Sequence, residues 1–238
     1  MALAHRIIPT ILMKNGHLVK GEQFKADRIV GNALQAAKIH AMRGVDEILI
    51  LDVTATKEGR EPDYAMIEKL TSTTTVPVTV GGGVNKLEHV QKLLDAGADK
   101  VSIGFEKVVK GLAYEIAKKY GSQCLSVTLD VQGTKHAEAG LDAFLCQREG
   151  AGELILQSIR QDGTMDGYNL GLIRYVDEVA DLFIPVVASG GCSGYPDMLQ
   201  AINAGASAVA AGALFQFTDA TPRGAAEYLH SHDVEVRL

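Results

Sequence analysis

The sequence predicts a single (βα)8 barrel, and three observations predict it. β-Rich runs alternate with helical patterns from end to end, eight such units can be counted, and the second half of the chain repeats the first. Strict alternation of strand and helix makes a parallel sheet, and eight units close that sheet into a barrel. At 238 residues the chain has the ordinary size of one such barrel, so residues 1–238 are read as one domain. No stretch has the composition of a linker or a low-complexity segment.

The strands are expected, in order, over Arg6–Leu12 (RIIPTIL), Glu47–Val53 (EILILDV), Pro77–Gly81 (PVTVG) and Lys100–Gly104 (KVSIG). The second set is Cys124–Asp130 (CLSVTLD), Glu153–Ser158 (ELILQS), Pro185–Ser189 (PVVAS) and Ala208–Gly212 (AVAAG). Between them apolar residues recur at helical spacing, as with Leu34, Ala37 and Ile39, or Leu87, Val90, Leu93 and Leu94.

The repeat is specific. VPVTVGGGVNKLEHVQKLLDAGADKVSIG from Val76 matches IPVVASGGCSGYPDMLQAINAGASAVAAG from Ile184, a displacement of 108 positions (76 to 184) that also relates Gly97 to Gly205 and Gly104 to Gly212. A second match sets DEILILDVTAT beside GELILQSIRQD, with Glu47 opposite Glu153. A barrel made of two half-barrels should carry equivalent sites at equivalent strand ends.

Composition narrows the function. The chain is 47% hydrophobic, no apolar run reaches the roughly 18 residues of a membrane span, and the start lacks a signal-peptide pattern. A soluble, cytoplasmic protein is expected. A net charge of -6 argues against nucleic acid as partner. Cys124, Cys146 and Cys192 are odd in number without a CxxC spacing, and read as reduced thiols. The histidines form no ligand cluster, so no metal and no other cofactor is expected.

In such barrels chemistry sits at the C-terminal ends of the strands. Gly81, Gly82 and Gly83 follow the third strand, Gly190 and Gly191 follow the seventh beside Ser189, and Gly104 and Gly212 end the fourth and eighth. Glycine lets a backbone approach a ligand, and the exposed N–H groups can cradle a phosphate; alternatively these glycines only make tight turns. Two facing phosphate sites are expected, the N-terminal one weaker because bulky Phe105 follows Gly104. Asp52, Asp130 and Asp162 fall at or beyond strand ends, where a carboxylate can be a general acid or base or can cap the next helix. Lys20, expected in the loop after the first strand, could neutralise a ligand anion or stand solvated.

At the opposite end, Arg6, Glu47, Lys100 and Glu153 stand at strand starts. Inward charges there are expensive to desolvate unless paired, so a closed ring of two cations and two anions is expected.

These runs, together with GAGELILQSIRQDGTMDGY, resemble the cyclase subunit of imidazole glycerol phosphate synthase over essentially the whole chain. The resemblance implies a lyase-type barrel of histidine biosynthesis. A glutamine-hydrolysing subunit would dock on the barrel bottom, and its ammonia would cross to a phosphorylated substrate at the top. It makes Arg6, Glu47, Lys100 and Glu153 the ammonia gate and Asp99 a partner-interface residue. Asp130 becomes a catalytic aspartate, and Gly83, Gly163, Thr164, Gly191, Ala211 and Gly212 become phosphate-loop residues.

The departures are as specific. The second catalytic aspartate falls on Leu12, a threonine near the reacting atoms on Gln157, and an asparagine–threonine pair on Gly104 and Phe105. The segment 131–140 is shorter than the substrate-covering loop of that family. Three readings therefore stay open. One is a working cyclase, another a paralogue delivering ammonia to a third enzyme that amidates a nucleotide sugar for surface polysaccharide, and the last a non-catalytic barrel that activates a glutaminase.

Overall fold

A computed structural model describes residues 4–133 and 135–238, with the side chains of residues 26 and 27 outside that description. Eight parallel strands close on themselves: β1 (Arg6–Lys14), β4 (Ile48–Asp52), β5 (Val78–Gly81), β6 (Lys100–Gly104), β7 (Leu125–Val131), β8 (Glu153–Ser158), β9 (Val186–Ser189) and β10 (Ala208–Ala211). Closure is the pairing of β10 with β1, from Arg6 opposite Ala208 to Pro9 opposite Ala211. The expected strands are all present with ends moved by a residue or two. Pro77 and Pro185 fall just outside β5 and β9, in keeping with a residue that has no N–H to give a ladder.

One element departs from strict alternation. β2 (His17–Glu22) and β3 (Lys25–Asn32) form an antiparallel ribbon hung on β1, so Lys20 sits on a strand and not in a loop. Lys14 pairs with His17 across Asn15 and Gly16, whose φ angles of 49° and 76° make a two-residue hairpin turn. Asn-Gly favours that turn because both central residues must take positive φ.

Helices surround the sheet: α1 (Ala33–Met42), α2 (Tyr64–Thr71), α3 (Leu87–Asp95), α4 (Phe105–Val109), α5 (Leu112–Tyr120), α6 (His136–Arg148), α7 (Leu170–Val179), α8 (Tyr195–Asn203), α9 (Ala213–Phe217) and α10 (Pro222–His230). Val90 and Leu93 on α3, predicted as an apolar face, are buried against the sheet, as are Leu172, Ile173 and Val176 on α7. Asn32, Asp63, Asn169 and Thr221 cap their helices through side-chain oxygens. The connection from β7 to α6 runs from 132 to 135, residue 134 lying outside the described residues. Among the described residues no helix is long and apolar enough to cross a membrane.

Inside the barrel a second apolar cluster of Ile8, Leu49, Ile155, Val187, Ala208 and Ala210 fills one flank. The other flank, on β5 to β7, is hydroxylated: Ser102 Oγ lies 2.8 Å from Thr128 Oγ1, while Thr79 and Ser126 donate to Glu47 and Glu153. All three cysteines are free and buried.

Candidate active site

The carboxyl ends of the strands surround a cavity of about 320 Å³. Of the residues predicted to bind or react, Lys20, Asp52, Gly104, Asp130, Asp162, Gly163, Ser189, Gly191, Ala211 and Gly212 line it together, with Thr10, Leu12 and Gln157. Gly83 and Thr164 do not. The Gly83 N–H donates to Thr56 Oγ1 at 3.1 Å, and the Thr164 hydroxyl donates to the Gln161 carbonyl at 3.0 Å.

The backbone comes closest at the C-terminal half. Gly191 has φ +103°, and a Cβ there would stand 2.1 Å from the Gly167 carbonyl oxygen, so only glycine fits. The β2–β3 ribbon folds across this side. Its tip donates from Gln23 N–H to the Asp162 carbonyl (2.9 Å) and from Phe24 N–H to Asp162 Oδ2 (3.2 Å). That docking brings Lys20 into the mouth, 5% exposed, with its Nζ 3.4 Å from the Thr10 carbonyl. Among the described residues it has no ion-pair partner within 4.0 Å. Burial pushes the Lys20 ammonium down to about 8, with Asp162 opposing that shift.

The three candidate carboxylates divide by environment. Asp52 is committed: Arg60 grips both its oxygens at 2.9 Å, and the N–H groups of Thr54 and Ala55 donate to Oδ1. Asp162 holds the ribbon tip and accepts from Gln157 Nε2 at 3.3 Å. Asp130, on β7, lines the cavity and is exposed there. The walls of the mouth, then the negative charges of Glu106 and Asp162, push its carboxyl up to about 7. A carboxyl poised there can both take and give a proton near neutrality. Leu12 lines the same mouth at the end of β1 and offers no such group.

Glu106, which the sequence reading passed over, also enters the cavity wall from the first turn of α4. Phe105 does not crowd the mouth as expected; it packs outward against the helix-side core. The reason is the turn out of β6, which sends residue 105 outward and residue 106 in. An i+2 charge after a strand-ending glycine carries little signal in sequence. Arg60 was likewise invisible, since its relation to Asp52 depends on how the β4–α2 loop folds.

At the barrel bottom the four charges close a ring. Arg6 pairs with Glu47 at 2.7 Å and Glu153 at 2.5 Å, and Lys100 with Glu47 at 2.8 Å and Glu153 at 3.0 Å. Burial works against the charged forms, yet Glu153 and Glu47 raise Arg6, and Lys100 and Arg6 hold Glu153 below the usual carboxylate range. Asp99 is exposed beside the ring, its carboxylate accepting from Val78 N–H at 2.8 Å.

A twofold-repeated parallel barrel, with its cavity at the carboxyl ends of the strands, defines the class as a (βα)8 barrel of the enzyme type. The chain belongs to the histidine biosynthesis protein family, whose profile matches residues 6–221. Members of that family are isomerases and cyclases of the histidine pathway.

Proposed function

We propose that this barrel is the synthase subunit of a glutamine amidotransferase pair, using ammonia from a glutaminase on a phosphorylated substrate held at its mouth. The observation that carries the reading is the closed ring of Arg6, Glu47, Lys100 and Glu153 at one end of the axis. Four inward charges cost several kcal/mol each to bury, and pairing at best offsets that cost. An isomerase that handles no ammonia has no use for such a closure, whereas a gate that neutral ammonia can pass does. Thr79, Ser126, Ser102 and Thr128 place hydroxyls between ring and mouth, which suits the passage of a small polar molecule. Lys20 with the backbone at Gly163, Gly191 and Gly212 suits a phosphate, and Asp130 suits proton transfer.

A second reading, an ammonia-delivering barrel serving a third enzyme that amidates a nucleotide sugar, is favoured by Leu12. It stands in the cavity where the repeat places a counterpart of Asp130.

The test pairs the barrel with its cognate glutaminase and compares glutamine-dependent with ammonia-dependent product formation, for wild type, Lys100→Ala and Glu47→Ala. Loss of the glutamine-dependent rate alone supports the gate. Variants that channel as well as wild type make the ring a stability feature and remove the reading. Product formed only when the amidating enzyme is added selects the second reading over the first.

A further inference from the structure

The two halves of the mouth are equivalent by descent of sequence, yet they part at one turn. At the end of β10, Gly212 has φ -111° and ψ -65°; Ala213 then lines the cavity and Leu214 is buried in the helix-side core. At the matching end of β6, Gly104 is extended with φ -74° and ψ 154°; here Phe105 packs on that core and Glu106 lines the cavity. The turn is displaced by one residue, so a carboxylate stands where the other half presents a methyl group. It covers Gly104 closely: a Cβ built on Gly104 would lie 2.3 Å from Glu106 Oε2. Asp130, on the next strand, faces the same space.

A phosphate at this end would meet two carboxylates, and the Gly83 N–H that could receive it is taken by Thr56. The cations nearby offset this only in part: Lys107 reaches Glu106 Oε1 at 3.5 Å, Lys57 lines the cavity but is exposed, and Arg60 is spent on Asp52. The opposite end holds a cation. Lys20 is buried there with no carboxylate within 4.0 Å among the described residues, although Asp162 is near enough to favour its charged form. Thr10, 8% exposed and lining the same cavity, has its hydroxyl oxygen buried with no hydrogen-bond partner among the described residues. An unsatisfied buried hydroxyl costs free energy that a ligand's polar atom would recover.

We infer that Glu106 is a specificity-determining residue that makes the mouth a receptor for a phosphorylated amine: one phosphate at the Lys20, Gly163, Gly191 and Gly212 end, and a protonated nitrogen at the Glu106 end in place of a second phosphate. The inference rests on the phosphate reading of the mouth and adds the polarity and chemical class of what binds.

Calorimetry on the purified barrel tests it with glucosamine 6-phosphate, glucose 6-phosphate and fructose 1,6-bisphosphate, slightly below neutrality. There the amine is charged, and the raised Asp130 carboxyl is partly neutral. The amine should bind wild type roughly two- to fivefold more tightly than the neutral sugar phosphate, the scale of one partly exposed ion pair. The preference should vanish in Glu106→Gln, and Glu106→Lys should turn it towards the bisphosphate. Equal affinity for amine and alcohol in wild type, or a preference that survives Glu106→Gln, overturns the inference while leaving the phosphate reading standing. If none of the three binds any form of the protein, both fall together.

Discussion

Gly212 lies so close to Lys20 that a Cβ at position 212 would stand 2.2 Å from the lysine Nζ. Close approach of the last barrel strand and the β2–β3 ribbon thus sets where the cation of the mouth can be. Gly212→Ala should displace the ammonium and weaken inorganic phosphate binding by roughly tenfold, the equivalent of one charge-assisted hydrogen bond. Crystals grown in phosphate should show an ion near Gly191, Ala211 and Gly212, and none near Gly104. Equal occupancy of both positions would refute the asymmetry.

Phosphate binding should also weaken as pH rises through about 8, because Lys20 must be protonated to bind an anion and burial has brought it down to that value. Calorimetry across this range should show proton uptake on binding, since a phosphate raises the affinity of the amine for its proton. A flat affinity from neutrality to well above 8 would remove Lys20 from the site.

Asp130 should impose its own pH dependence on stability. Its folded value of about 7 lies above the ordinary 3.8, so the fold favours the neutral carboxyl. That contribution is complete below the unfolded value and is lost as pH rises through the folded one. Asp130→Asn, which cannot ionise, should melt with wild type near pH 3.8 and above it once the pH exceeds about 7. Melting curves whose separation does not change with pH would contradict the raised value.

Removing one member of the ring leaves two cations facing one anion. Glu153→Gln should lower stability to urea by about 3 kcal/mol, the lower end for a broken buried pair, because the Arg6 side chain is 23% exposed to water. Replacing all four charges by apolar residues of similar size should cost less than that single change, if a well-packed apolar plug substitutes for ion pairing. A single variant as stable as wild type would show that solvent already screens the ring.

Leu12 sets an expectation for turnover. With free ammonia, cyclase activity should fall at least roughly 100-fold below that of a family member bearing carboxylates on both strands, the usual size of a general acid–base contribution. Leu12→Asp alone should restore little, because Gln157 and the short connection after β7 also shape the mouth. Robust turnover abolished by Asp130→Asn would show that one carboxyl is enough.

Alternation of strand and helix, the 108-residue repeat and the strand-start charges were legible without coordinates, because each depends on periodicity or on residues close in sequence. The paired ring could be anticipated from the cost of burying charge, and the two-glycine turns from the match between halves. Even the β2–β3 ribbon had its local signal in Asn15-Gly16, though the expectation of strict alternation masked it.

The division of labour among the carboxylates had no such signal. Asp52, Asp130 and Asp162 read alike along the chain, each following an apolar strand. Folding gives Asp52 to Arg60, gives Asp162 to the ribbon tip, and leaves Asp130 facing Glu106 across the cavity. Sequence by itself determined the barrel, its twofold repeat and which residues reach its two ends, since side-chain period and strand order follow from local pattern. Only the tertiary structure decided which of those residues are free to act. Partnership between groups on different strands depends on distances of a few ångströms that loop conformation sets, and a one-residue shift in the turn at Gly104 is enough to exchange a phenyl ring for a carboxylate.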